Sequence, residues 1–264
     1  MIYSCCASLG MLDAVERAGY ERIILPGTEV AAWSDGKLTA VVERLRRSPL
    51  TCRALNSFCT PELILCGPNY DPEKVKAYID RLAPRAAALG AEYIGVGSPK
   101  SRSIPDGFDK ELAMEQWCET LTILCDACAP HGITVLLEAV CALEGNWMTT
   151  TTSALEVVRR MGREDLQIVF DTYHAFMMGE DAAPLKEAMP HVRLVHVAQD
   201  IIGQRHYLRW ENFGEYKVYF DALLEAGFNG EVAVEAFYDD PAEQLPVTLN
   251  IMKALCGEGG KEEL

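Results

Sequence analysis

Eight short apolar runs alternate with longer segments of helical periodicity along the whole chain, and this alternation most constrains the fold. Runs such as Ile133–Leu137 are mainly apolar over five residues, which is typical of parallel strands that are covered on both faces. Eight strand–helix units within 264 residues predict a single (β/α)8 barrel. The predicted strands are Ile2–Ala7, Arg22–Leu25, Thr51–Asn56, Tyr93–Gly97, Thr134–Glu138, Gln167–Asp171, Val192–His196 and Glu231–Glu235.

The segments between the strands carry the start and stop signals of helices. After the third strand, Asp71 and Pro72 begin a segment whose apolar residues recur every three or four positions, and Gly90 ends it. A doubly wound open sheet is the alternative fold, but the first strand is not followed by a glycine-rich phosphate-binding turn. Because no linker separates two halves, residues 1–256 are expected to form one catalytic barrel and residues 257–264 a polar C-terminal tail.

The charge balance bears on the expected partners and compartment. The chain has 24 Lys and Arg against 39 Asp and Glu, a formal charge of −15 that repels phosphate backbones, so no nucleic acid partner is expected. No apolar run is long enough for a membrane span and no signal-peptide pattern opens the chain, so we expect a cytoplasmic protein without a membrane partner. The ten cysteines, with the C-x-x-C pair Cys125 and Cys128, are then expected to stay reduced and pack in the core.

Four consecutive predicted strands end in an ionisable side chain, at Glu138, Asp171, His196 and Glu235. In a (β/α)8 barrel these strand ends meet at the catalytic face. A single carboxylate there is more often a helix cap, but four adjacent groups are not expected by coincidence. Three carboxylates around one point repel each other unless a cation lies among them. The set suits one divalent metal ion, with Mn²⁺ as the predicted ion and Mg²⁺ or Co²⁺ as alternatives to it.

The motifs around these four residues are specific enough to indicate a family. They read Leu136-Leu137-Glu138, Phe170-Asp171-Thr172-Tyr173-His174, Val195-His196-Val197 and Val234-Glu235. They resemble the metal-binding motifs of the xylose-isomerase-like TIM-barrel superfamily, in particular its sugar isomerase/epimerase branch with the ketose 3-epimerases. The resemblance implies that the four strand-end residues bind the metal. It also implies that Glu138 and Glu235 act as an acid/base pair that face each other across the sugar.

The same resemblance implies residues that contact the substrate. His174, three residues beyond Asp171, matches the family histidine that contacts substrate oxygens, and Glu144 matches a substrate-binding glutamate. Many relatives carry an arginine and a Pro-Gly-x-Gly turn after the seventh strand, and this chain lacks that turn. Arg205 is the predicted substrate arginine, with Arg209 as the alternative.

This constellation predicts a metal-dependent carbohydrate isomerase or epimerase that works through an enediolate, and the resemblance favours a ketose 3-epimerase-type reaction. A metal-dependent lyase on an oxidised sugar or C-glycoside with a partner subunit, and a non-catalytic sugar-binding barrel, stay open. A related DNA-cleaving zinc fold is not favoured, because Asn56–Phe58 and Gly97–Pro99 lack the additional histidines. The expected partner is a small-molecule sugar, and a homo-oligomer or a partner subunit stays open.

Loop residues give weaker signals. Trp33 and Phe58 are candidates for apolar walls against a sugar ring, with ordinary loop packing as the alternative. The loop after the fourth strand contains Lys100 and Arg102. Because no glycine-rich helix entry accompanies these two cations, the loop is interpreted as solvated and not as a phosphate site.

Overall fold

The predicted strands close into a barrel in the computed structural model, which describes residues 1–201 and 204–258. The barrel strands pair in parallel in the order β1-β10-β7-β6-β5-β4-β3-β2, and β2 closes on β1. No predicted strand end differs by more than one residue from the observed one, so the predicted (β/α)8 fold is confirmed. The strands are β1 Ile2–Cys6, β2 Arg22–Pro26, β3 Thr51–Asn56, β4 Tyr93–Val96, β5 Thr134–Glu138, β6 Leu166–Asp171, β7 Val192–Val197, β8 Gln199–Ile201, β9 Gln204–His206 and β10 Glu231–Val234.

Helices cover the outside of the barrel and begin and end where the sequence signals predict. Asp71 caps α4 by accepting hydrogen bonds from the Glu73 and Lys74 amides, and Gly90 ends the helix with a φ of 87°. The helices are α1 Leu12–Ala18, α2 Gly27–Ala32, α3 Asp35–Arg46, α4 Pro72–Leu89, α5 Lys110–Cys128, α6 Thr151–Met161, α7 Thr172–Met177, α8 Ala182–Ala188, α9 Phe213–Glu225 and α10 Pro241–Leu255.

The apolar core lies in two layers. The larger layer fills the space between the helices and the outer face of the barrel. A small inner cluster fills the barrel itself, with Ile24, Leu136, Val169 and Leu194 among its members. Nine of the ten cysteines, Cys125 and Cys128 among them, are buried as predicted, and the tenth, Cys118, is half-buried; all ten are free thiols. Because successive side chains of a strand point to opposite faces of the barrel, each strand contributes side chains to both layers.

The short hairpin of β8 and β9 was not predicted. Its strands pair antiparallel, with Gln199 opposite His206 and Asp200 opposite Arg205, and residues 202 and 203 between them lie outside the described residues. The hairpin follows β7 at the carboxyl face of the barrel. Of the predicted tail, residues 259–264 also lie outside the described range. Among the described residues, no helix is both long and apolar enough to cross a membrane.

Candidate active site

The four strand-end residues meet at the carboxyl face of the barrel. Glu138 and Asp171 end β5 and β6, His196 is the penultimate residue of β7, and Glu235 directly follows β10. The parallel register places Asp171 beside His196 on the neighbouring strand. One donor atom from each of the four lies within 4.8 Å of the others. The structure thus brings all four residues into one cluster.

The imidazole of His196 lies at the centre of this cluster. Its Nδ1 is 3.1 Å from Glu138 Oε1, 3.1 Å from Glu235 Oε2 and 3.9 Å from Asp171 Oδ2. Its Nε2 faces the thiol of Cys6 at 3.7 Å. Burial lowers the pKa of His196, but the adjoining Cys6, Glu235 and Glu138 side chains together outweigh burial and hold it well above its ordinary value. A positive charge is therefore favoured among the carboxylates.

The guanidinium of Arg205 supplies a second positive charge. Its Nη2 donates to Asp171 Oδ2 at 2.7 Å and its Nη1 to Glu235 Oε2 at 2.5 Å. Its Nε lies 3.7 Å from Glu144 Oε1. Because Arg205 is on β9, the unpredicted hairpin is the element that brings this side chain over the cluster.

His174 lies in the first turn of α7, which Asp171 caps. Asp171 Oδ1 accepts hydrogen bonds from the Tyr173 and His174 amides at 2.8 and 3.1 Å. The imidazole Nδ1 lies 3.1 Å from the Cys141 amide, which donates to it. Its Nε2 is 2.6 Å from Arg205 Nη2, so each ring nitrogen faces an N–H donor. Burial lowers the pKa of His174 to about 4, and the ring is neutral at pH 7.

The carboxyl groups of the cluster differ in their affinity for protons. Burial raises the pKa of Glu138 to about 7. Burial acts in the same direction on Glu235 and Asp171, but Arg205 and the neighbouring histidines together outweigh it and lower the pKa of both groups. For Glu235 the pKa falls well below its ordinary value, with His196 adding to the effect. Carboxyl groups with such different pKa values in one cleft are typical of acid/base sites.

An open cavity of about 500 Å³ leads from the surface to this cluster. Its walls contain the proposed acid/base residues Glu138 and Glu235 and the predicted substrate residues His174, Glu144 and Arg205. This volume lies within the range of roughly 300–1,000 Å³ that is usual for small-molecule sites. The residues predicted for catalysis and for substrate contact therefore face one space.

Three of the residues considered from the sequence lie elsewhere. Phe58 is fully buried and packs edge-to-face on Tyr78 with ring centroids 5.4 Å apart, and Trp33 is 9% exposed within the outer core. Loop packing, and not a sugar-binding wall, accounts for both aromatic side chains. The guanidinium of Arg209 lies 4.9 Å from the ring centroid of Tyr207 and does not line the cavity. Of the two arginines, the structure places Arg205 at the cluster.

Two buried polar residues near the cluster were not predicted. Asn56 ends β3, and its Nδ2 donates to Glu235 Oε1 at 2.5 Å. Asn56 is at a strand end like the four ionisable residues, but its amide is not ionisable, so the pattern of charged strand ends does not include it. Arg102 was expected in a solvated loop, which is wrong, since it is 1% exposed. Its hydrogen-bond partners are backbone carbonyls, and no side-chain pattern in the sequence reveals them.

A protein-family model described as a xylose isomerase-like TIM barrel matches residues 12–255. The chain belongs to this family. The match spans nearly the whole barrel, and it confirms the resemblance that the strand-end motifs carry.

Relatives of this xylose isomerase-like barrel include sugar isomerases and epimerases. The inosose isomerase of Bacillus velezensis is 29% identical over 136 residues, which are 48% of this chain and 48% of that protein. The ketose 3-epimerase of Arthrobacter globiformis is 31% identical over 113 residues, 42% of this chain and 38% of that protein. The chain thus spans about half the length, or less, of these curated relatives. The structure of D-allulose 3-epimerase from Methylomonas sp. in complex with D-allulose has the same fold, with a TM-score of 0.83, 18% identity and 96% of each chain covered.

Proposed function

We propose that this chain is a divalent-metal-dependent sugar isomerase or epimerase, and specifically that it catalyses a ketose 3-epimerase-type reaction. The observation that carries the proposal is the convergence of Glu138, Asp171, His196 and Glu235 at the end of an open cavity. The inosose isomerase and the ketose 3-epimerase among its relatives support the sugar class.

The donor set fits a divalent cation. Three carboxylates and one imidazole, with donor atoms within 4.8 Å of one another, form a mainly oxygen-bearing site that suits Mn²⁺, or Mg²⁺ and Co²⁺ as alternatives. The carboxylates already attract the guanidinium of Arg205 and raise the pKa of His196, which supports a site that requires positive charge. When bound, such an ion polarises a sugar carbonyl and stabilises negative charge on the adjoining oxygens.

Glu138 and Glu235 are the proposed acid/base pair. They extend from β5 and β10, which β6 and β7 separate in the barrel, and both line the cavity. One carboxylate removes the proton from the carbon beside the ketose carbonyl, and the resulting enediolate is reprotonated by the other. Return of the proton to the opposite face of the same carbon gives an epimer. The ketose 3-epimerase among the relatives supports this outcome over proton transfer to the neighbouring carbon.

Arg205, His174 and Glu144 are the proposed substrate-binding residues. Arg205 Nη2 and His174 Nε2 lie 2.6 Å apart on the cavity side of the cluster, so a sugar oxygen that approaches the guanidinium also comes close to the imidazole. Glu144 is exposed on the cavity wall, where its carboxylate can accept a hydrogen bond from a sugar hydroxyl. These contacts orient the sugar so that its reacting carbon lies between the two glutamates.

Deuterium exchange from solvent into a panel of free ketoses, followed by NMR, tests the proposal directly. Mn²⁺-loaded protein should exchange the C3 hydrogen of at least one ketose, and EDTA should abolish the exchange. Exchange at C1 or C2 would instead indicate an isomerase. No exchange in any free ketose would contradict the proposal and favour the lyase alternative.

Glu138→Gln and Glu235→Gln test the acid/base assignment. Each should lower the exchange rate by at least about 10³-fold, because the amide cannot transfer the proton, and should only partly weaken the Mn²⁺-induced rise in Tm. Glu43→Gln, on the exposed face of α3, is the matched control and should retain the wild-type rate. A wild-type rate in either site variant would refute the assignment.

A further inference from the structure

Arg102 is a buried cation whose role the proposed chemistry does not explain. It follows β4 and is 1% exposed, and its hydrogen-bond acceptors within the described chain are all backbone carbonyls. Burial lowers the pKa of Arg102 to about 10, so the guanidinium keeps its charge at neutral pH. A buried charge without a paired carboxylate costs free energy, so its presence calls for a reason beyond packing.

The carbonyls that Arg102 contacts belong to three segments at the carboxyl face. Its Nε donates to Gly97 O at 2.6 Å, and its Nη2 donates to Glu138 O at 3.2 Å. Its Nη1 donates to Trp147 O, and both terminal nitrogens lie 3.4 Å from Met148 O. One planar fork therefore connects the end of β4, the end of β5 and the return of the loop that follows β5.

Two of these segments are fitted closely to each other. A Cβ at Gly97 would lie 2.4 Å from Glu138 Oε2, so the Glu138 carboxylate occupies the space that a side chain would fill. The position of this carboxylate thus depends on the spacing between the ends of β4 and β5. Met148 has a φ of 54°, which L residues rarely adopt, and its carbonyl accepts hydrogen bonds from Arg102 and from the Val140 amide. Arg102 therefore also holds a strained turn beside the same strand end.

We propose that Arg102 is a positioning residue that holds the backbone of Glu138 against Gly97 and so fixes the Glu138 carboxylate in the cavity. It does not line the cavity, so it acts through Glu138 and not on the sugar. The role that it supports, acid/base chemistry by Glu138, rests on the proposed function. Only a guanidinium has the fixed fork of five N–H donors that can reach three segments at once, since a lysine is a single point charge.

Arg102→Lys is the direct test, because it keeps the buried charge and removes the fork. In a crystal structure of the variant, the Glu138 carboxylate should move by about 0.5 Å or more from its wild-type position. In ketose exchange assays, kcat should fall by about 10²-fold while KM changes by less than about threefold, since the residue does not touch the sugar. If the lysine variant does not fold, Arg102→Gln, which keeps two N–H donors without the charge, takes its place.

Arg163→Lys is the matched control, since Arg163 pairs with Asp126 and Asp165 before β6, at the opposite end of the barrel. It should lower Tm and leave kcat unchanged. An Arg102 variant whose Glu138 superposes on the wild type, or whose kcat is retained despite a displaced Glu138, would overturn the proposal. If the wild-type protein exchanges no ketose proton, the proposed function fails separately, and the crystal structures still decide whether Arg102 positions Glu138.

Discussion

Gly97→Ala is the smallest change that should disable the site while keeping the fold. The new Cβ would lie 2.4 Å from Glu138 Oε2 and 3.3 Å from Val140 Cγ2. Gly97 does not have a positive φ, so alanine can adopt its backbone conformation. The clash therefore falls on the flexible end of Glu138, which must withdraw by roughly 1 Å to restore an ordinary van der Waals contact.

A displacement of this size is large for catalysis and small for stability. A misplacement of about 1 Å lowers kcat by about 10²-fold, which corresponds to about 2.7 kcal/mol of transition-state stabilisation. Turning Glu138 away from its preferred rotamer costs about 1 kcal/mol, which lowers Tm by about 2–4 °C in a chain of this size. Deuterium exchange measures the fall in kcat. Thermal unfolding with and without Mn²⁺ measures the fall in Tm and shows whether the Mn²⁺-induced rise in Tm is lost.

Gly36→Ala in α3 is the matched control, because a Cβ there meets no heavy atom within 4 Å. It should leave kcat unchanged and should not lower Tm, since alanine favours the helix more than glycine does. The reasoning is refuted if Gly97→Ala keeps the wild-type kcat and the wild-type Mn²⁺ shift. It is also refuted if Glu138 occupies its wild-type position in the variant while kcat falls.

Two further predictions concern the residues around the cluster. Arg205→Lys should raise KM by roughly 10-fold or more, because Arg205 lines the cavity as a proposed donor to the sugar. Arg209→Lys should leave KM unchanged, because Arg209 contacts Tyr207 outside the cavity; equal effects would contradict the choice of Arg205. His174 has a folded-state pKa of about 4 against 6.5 when unfolded, so the folded state binds fewer protons between these values and loses stability as pH falls. Lowering the pH from 7.5 to 5.5 should therefore reduce the free energy of unfolding by about 1 kcal/mol through His174. In urea unfolding with EDTA, His174→Gln should lose less stability over this pH range than the wild type; equal losses would contradict the assignment to His174.

The strands and the four strand-end residues could be predicted because both depend on local sequence. A buried parallel strand is a short apolar run, and Glu138 and Asp171 end such runs in the sequence as they do in the structure. Once eight runs are arranged in one barrel, the topology alone brings their ends together. The meeting of the four strand-end residues therefore follows from the fold class and requires no knowledge of individual long-range contacts.

The hairpin and the role of Arg102 could not be predicted, because neither depends on a pattern in the local sequence. β8 and β9 are three residues each, too short to show a strand period, and β9 is the element that carries Arg205 to Asp171. Arg102 contacts carbonyls as far away as Met148, 46 residues along the chain. Every residue has a carbonyl, so a set of carbonyl contacts has no signature in residue types.

Arg102 and Arg205 look equivalent in the sequence, since each is an arginine in a segment after a barrel strand, yet the structure gives them different partners. Arg205 pairs with the carboxylate oxygens of Asp171 and Glu235 from within the cavity, while Arg102 contacts the backbone of Glu138 from outside it. Loss of the first fork removes contacts available to the bound sugar, which affects KM. Loss of the second displaces a reacting group after the sugar has bound, which affects kcat. The same substitution, arginine to lysine, should therefore act on KM at position 205 and on kcat at position 102.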